Sequence, residues 1–204
     1  MTVKTRRQEY VEATREALLD SAARLFTEQG FAHTSLDEVA ASARVTKGAL
    51  YHHFSSKQAL FEHVLEGVNE RIAETVMSAG AHGDEPWGRM ISGLNAFLDA
   101  CLDDEYQRIC LQQGPAVLGW ERCREVEARM MGLLESMLTE LSGSGARLTP
   151  SPLLTRVLFR MISETALAIG EAEDKQAARA EAGELVTGLL SSVVPGAPAA
   201  GGAS

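Results

Sequence analysis

The sequence predicts an all-α protein, and two observations carry that expectation. Apolar residues recur at helical spacings of three, four and seven through most of the 204 residues, and no alternating apolar–polar run of strand length breaks the pattern. Residues that start and stop helices also fall where the periodic stretches begin and end. The expectation is about nine helices, no sheet and no repeat of solenoid period.

The first helix is predicted over residues 8–29, with Val11, Leu18, Ala22, Leu25 and Phe26 on its inner face. Gly30 suits the position just past its end, and Phe31 turns back to the core. A second helix starts at Thr34 or Ser35. Glu38 lies three residues after Ser35, which is the spacing of a capping box. Leu36, Val39 and Ala40 are its inward residues, and Ala43-Arg44-Val45 forms a turn. Thr46 caps a third helix that buries Leu50 and Phe54. The small side chains of Ala40 and Ala43 let the second and third helices approach closely.

Ser55 or Ser56 caps a fourth helix over 56–79, with one stripe from Leu60 to Val76. A fifth is predicted over 86–102. A sixth covers 104–113 and stops ahead of Gly114-Pro115, because proline disfavours helix in the residue before it. A seventh covers 117–141. The Ser/Gly/Pro-rich stretch 142–152 reads as a linker, and Pro152 suits the first turn of an eighth helix over 151–170. A ninth covers 174–194, and the low-complexity tail 195–204 is expected to be disordered. Three regions follow: a helix-turn-helix domain over 1–60 with a basic arm in 1–10, a larger helical domain over 61–194, and the tail.

Composition narrows the function. Hydrophobic residues are 45% and charged residues 23%, the balance of an ordinary globular chain. No apolar run approaches the roughly 20 residues that span a bilayer, and the polar N-terminus lacks a secretory core, so a cytoplasmic protein with no membrane partner is expected. The three cysteines form no CxxC pair and no Cys/His array has zinc spacing, so neither a metal site nor a cofactor is expected. No nucleophile–base pair stands out, and the adjacent carboxylates Asp103, Asp104 and Glu105 read as solvated or capping groups, so the chain is not read as an enzyme. The net charge of −9 is unevenly spread. Residues 1–60 hold eight basic and seven acidic side chains, whereas 61–204 hold eleven and twenty-one. The acidic excess therefore lies outside the helix-turn-helix, where local sign decides phosphate contact.

Two short helices joined by a tight turn can place the second in a DNA major groove. Thr46 caps that second helix at its positive end, Lys47 adds a mobile charge, and Gly48 lets the backbone approach a base edge. Tyr51 lies on the same face, with His52 and His53 flanking it and Lys57 just beyond. Thr34 and Ser35, at the start of the preceding helix, are further phosphate candidates, as is Arg44 in the turn. Lys4, Arg6 and Arg7 form an arm suited to an adjacent minor groove. Few of these side chains read bases in bidentate fashion, so affinity is expected mainly from backbone contacts. A His52–His53 metal pair is disfavoured, since adjacent helical residues point about 100° apart.

The run Phe26-Thr27-Glu28-Gln29-Gly30-Phe31, then Thr34-Ser35, Val39-Ala40, Val45 to Phe54 and Lys57, closely resembles the DNA-binding domain of TetR-type regulators over about residues 8–65. Gly114–Glu125 resembles the effector domains of some members more loosely. The resemblance implies an all-helical fold and a homodimer formed by the last two long helices. It also implies a ligand cavity in the C-terminal domain, and repression of double-stranded operator DNA that a small-molecule effector relieves.

The C-terminal pattern agrees. The eighth and ninth helices carry nearly continuous apolar faces that a small monomer cannot cover, which predicts a four-helix dimer interface. Leu154, Leu158, Met161 and Ile162 supply it from the eighth helix, and Leu185, Leu189 and Val193 from the ninth. Helices five to seven are expected to enclose an apolar pocket. Its predicted walls are Met90, Leu94, Phe97 and Cys101, then Cys110 and Trp120, then Met130, Met131 and Leu134. Gln107, Arg108, Gln112 and Gln113 are candidate polar handles for a ligand. Cys101 and Cys110 flank a bend and form a candidate thiol sensor, although buried structural cysteine is the commoner outcome.

Overall fold

The computed structural model describes residues 5–81, 85–144 and 149–193. Lys4 of the basic arm, part of the 142–152 linker and the tail 195–204 lie outside the described residues. Among those described, every regular element is helical: α1 (Arg6–His33), α2 (Leu36–Ser42), α3 (Lys47–His53), α4 (Lys57–Gly80), α5 (Pro86–Ala100), a π-helical segment (Tyr106–Gln113), α6 (Gly114–Val126), α7 (Ala128–Gly143), α8 (Pro152–Glu171) and α9 (Lys175–Val193).

The predicted caps are in place. Ser35 accepts from the Glu38 amide while the Glu38 carboxylate accepts from the Ser35 amide at 2.8 Å. Thr46 caps α3 through the Ala49 amide and Ser56 caps α4 through the Ala59 amide, while Ser151, expected inside the eighth helix, is the residue that caps α8. Gly30 breaks α1 at φ 81°, a left-handed value that glycine adopts without a Cβ penalty, before one more turn reaches His33. Val11, expected inward, is exposed.

Two expectations fail in the middle of the chain. The sixth helix is π-helical rather than α-helical, and α6 starts at Gly114 instead of the helix stopping there. The predicted seventh helix is two elements: Gly119 kinks α6 at φ 79°, and Glu127 separates α6 from α7.

The chain forms two compact units, and their boundary differs from the expected division at 60/61. One comprises the described residues up to Val68 with Arg108–Cys123, the other Asn69–Gln107 with the described residues from Arg124. In the first unit, Phe26, Phe31 and Phe61 pack with ring centroids 5.2–5.8 Å apart, beside buried Leu18, Val39, Leu50 and Phe54. Phe61 meets each of the other two rings edge-to-face, and such packing adds roughly 1 kcal/mol per pair beyond area burial. Gln113 fills the break in α1: its amide nitrogen donates to Phe26 O at 3.0 Å and its oxygen accepts from the Phe31 amide at 2.6 Å. Arg108 donates to Thr27 O on the same helix. Arg122 pairs with Glu62 and Glu66 of α4.

In the second unit, α5, α7, α8 and α9 pack on one another around Leu98, Leu138, Phe159, Ile169, Val186 and Leu190. Gln107 is buried and donates to Cys101 O at 2.8 Å and Ala166 O at 2.7 Å. Gly170 of α8 gives that amide its room.

Candidate nucleic-acid interface and internal cavity

The interface is built by α2, the turn and α3. Arg44 takes φ 58° in the turn, and the Val45 amide donates to Ala40 O at 2.9 Å, which sets the angle between the helices. Leu50 and Phe54 face inward, and this leaves Thr46, Lys47, Gly48, Tyr51 and His52 exposed along one helix, with His53 half-buried. Burial, His52 and Arg15 hold the His53 imidazole below its ordinary pKa. Ser35 and Arg44 are exposed as well.

Lys47, though exposed, is ion-paired. Its ammonium lies 2.7 Å and 2.9 Å from the two carboxylate oxygens of Asp37 on α2, and that carboxylate raises the lysine's pKa. Sequence spacing gave no hint of this pair, which forms across the turn.

Two predicted contact residues turn inward instead. Thr34 is 1% exposed, and its hydroxyl donates to Gly30 O at 2.9 Å and Leu25 O at 3.3 Å, so it closes the end of α1 and has no side chain to offer phosphate. Lys57 donates to Phe31 O at 2.7 Å and Thr34 O at 2.9 Å, with its ammonium 4.4 Å from the Phe31 ring centre. It fastens the α1–α2 turn. Both residues sit where orphan carbonyls end a helix, and such groups draw the nearest donor.

The second unit contains an apolar cavity lined by Val76 of α4; Met90, Gly93, Leu94 and Phe97 of α5; Met130, Leu133, Leu134 and Met137 of α7; Phe159 and Ile162 of α8; and Leu190 of α9. Its empty space is about 520 Å³ where it opens to solvent, but the centre of a water-sized sphere has only about 60 Å³ to move in.

Five predicted walls are present: Met90, Leu94, Phe97, Met130 and Leu134. Four are not. Trp120 is 63% exposed and, like Cys110, belongs to the other unit. Cys101 is buried and Met131 half-buried, and neither lines the cavity. The polar handles are elsewhere too: Gln113 and Arg108 hold α1, Gln107 holds α8, and Gln112 is exposed. A thiol sensor gains no support, since burial pushes the Cys101 thiol up to about 12, which keeps it protonated at neutral pH.

The dimer residues also divide. Leu158 is 5% exposed and so is covered within the chain, whereas Ile162 is half-buried and lines the cavity. Leu154 and Met161 are half-buried, and the Val193 side chain lies outside the described residues. Leu185 and Leu189 are exposed, as are Leu153 and Val157 of α8.

Residues 18–64 match the family described as bacterial regulatory proteins, tetR family, and residues 87–193 match the tetracyclin repressor-like C-terminal domain, about half of the chain. The chain belongs to the TetR family. Among its relatives is the Transposon Tn10 TetC protein of Escherichia coli, 29% identical over 69% of this chain and 72% of TetC. The regulator AcrR of Shigella flexneri is 35% identical over 55% of this chain and 52% of its own length. A TetR-family regulator of Pectobacterium atrosepticum has a solved structure that superposes with a TM-score of 0.81 at 28% identity, covering 96% of this chain and all of that one. FadR of Bacillus subtilis, solved in complex with stearoyl-CoA, shares the fold at 17% identity and a TM-score of 0.68, over 84% of this chain and 97% of its own. As a TetR-family protein the chain is a DNA-binding transcriptional regulator. Among its described residues no helix is long and apolar enough to cross a membrane.

Proposed function

We propose that this TetR-family regulator is a homodimeric repressor that leaves its operator when a small apolar molecule occupies the second-unit cavity. One observation carries the DNA reading: Thr46, Lys47, Gly48, Tyr51 and His52 share the exposed side of α3 while Leu50 and Phe54 hold its other side in the core. A rigid short helix with hydroxyl, ammonium and imidazole groups outward suits a major groove flanked by phosphates. Ser35 and Arg44 complete the surface, and Arg6 and Arg7 at the start of α1 remain available to a minor groove.

Dimerisation is supported by four exposed apolar residues at i, i+4 spacing, Leu153 and Val157 on α8 and Leu185 and Leu189 on α9, with exposures of 41–71%. Exposed apolar side chains at this spacing favour a partner, and a two-fold copy presents two recognition helices to a pseudo-palindromic site. Effector release would follow from a ligand that binds one helix spacing better than the other. That B. subtilis FadR was solved with stearoyl-CoA is a precedent in the same fold for an acyl-bearing ligand.

The test is an electrophoretic shift on the DNA upstream of the coding sequence, at low salt, with wild type and Leu189→Glu. Wild type should sediment as a dimer and retard that DNA, and Leu189→Glu should lose both properties together. A monomeric wild type, or no retardation at low salt, refutes the proposal.

A further inference from the structure

All twelve cavity-lining residues are aliphatic, aromatic, thioether or glycine; none offers a side-chain nitrogen or oxygen. Three arginines sit next to lining residues in sequence, and each is committed to a carboxylate. Arg89, beside Met90, pairs with Glu140 at 3.0 Å. Arg129, beside Met130, pairs with Glu70. Arg160, next to Phe159, pairs with Glu127 at 3.0 Å. An anion entering the cavity would lose its hydration and find no donor in return, a penalty that apolar contact does not offset.

The cavity also has an adjustable end. A Cβ on Gly93 would lie 3.0 Å from Met137 Cε and 3.4 Å from Val76 Cγ1, and one on Gly80 would lie 3.2 Å from the same Met137 methyl. The missing side chains of Gly80 on α4 and Gly93 on α5 thus make a slot that the Met137 thioether fills. The inner space is only about 60 Å³, so a guest larger than a few waters either extends through the open mouth or, to reach deeper, displaces a wall. Met137 is the cheapest wall to move, being unbranched with soft torsions.

We infer that this cavity takes an uncharged hydrocarbon-like molecule, held by surface contact alone, whose slender end seats between Gly80 and Gly93 in place of the Met137 methyl. The inference rests on the effector reading of the cavity and names the chemical class of its ligand.

The test uses the full chain, the neutral fluorophore N-phenyl-1-naphthylamine and n-alkyl competitors at pH 8. The probe should bind saturably, 1-decanol should displace it, and decanoate should be at least tenfold weaker. Lengthening the alcohol should tighten binding about fourfold for each methylene that finds room, the equivalent of about 0.8 kcal/mol per buried CH₂. That gain should continue to longer chains in Met137→Ala than in wild type, and Gly93→Ala should shorten it.

Decanoate binding as tightly as decanol overturns the inference, because a cation would then be available. So does an alcohol series identical in wild type, Met137→Ala and Gly93→Ala, because the probe would then sit elsewhere. Absence of any probe binding to folded protein overturns it as well. If decanol binds as expected yet leaves DNA affinity unchanged, the ligand class stands and the effector reading falls.

Discussion

Gly170→Ala is the sharpest structural probe of the second unit. The new Cβ would lie 1.9 Å from Gln107 Oε1 and 2.4 Å from its Cδ, distances no packing tolerates. The Gln107 amide must leave, breaking its bonds to Cys101 O and Ala166 O. Each such buried bond contributes about 1 kcal/mol. Forcing the amide into a filled core costs a further 1–3 kcal/mol or so. Alanine's better helix propensity returns about 1 kcal/mol. The net destabilisation is roughly 2–4 kcal/mol, which for a chain of this size lowers Tm by roughly 4–16 °C. Thermal melting followed by circular dichroism reads it directly. Gln107→Ala removes the clash, so adding Gly170→Ala to that variant should raise Tm or leave it level. A Gly170→Ala protein that melts within about 2 °C of wild type, or one whose loss persists unchanged in the Gln107→Ala background, refutes the packing described.

Other outcomes follow from the same geometry. Asp37→Asn should release Lys47 and raise operator affinity about two- to fivefold at low salt. In a Lys47→Ala background that gain should vanish, and fluorescence anisotropy titrations of the four proteins would reveal a general charge effect if it persists. Cys101, fully buried and with its thiol pushed up to about 12, should resist iodoacetamide at pH 8 in native protein and react after denaturation, as peptide mass mapping would show. The Ser35 bonds hold the Glu38 carboxyl below its ordinary 4.5. Because the folded-state value is the lower one, the charged cap stabilises the fold above pH 4.5 and is lost as pH falls through the folded value. Denaturant melts of wild type and Glu38→Gln should therefore converge on acidification, and a gap that widens instead would contradict the capping geometry.

Much of this architecture is legible in the residues because its cause is local. The capping box Ser35-x-x-Glu38, the cap Thr46 and the glycine at the α1 break are short-range chemistry and appear where the sequence places them. The π-helical segment is not legible: Tyr106–Gln113 has ordinary helical composition. Its path accompanies contacts distant in sequence, Gln107 to Ala166 in one unit and Gln113 to Phe26 in the other. Thr34 and Lys57 misled for a related reason. A polar side chain in a recognition motif reads as a DNA contact, yet only the folded turn reveals the carbonyls that claim it. Leu158 shows the limit of periodicity, which identifies an apolar face but not the neighbour that covers it.

The function proposed for α3 is to bind duplex DNA with its exposed side. Anisotropy titration of a labelled upstream inverted repeat, over a range of salt, compares wild type with the Lys47→Ala/Tyr51→Ala double variant. The expected result is saturable binding by wild type that weakens steeply with salt, and a loss of tenfold or more with a shallower salt slope in a variant of unchanged melting temperature. Equal affinity and equal slope in the two folded proteins would contradict it.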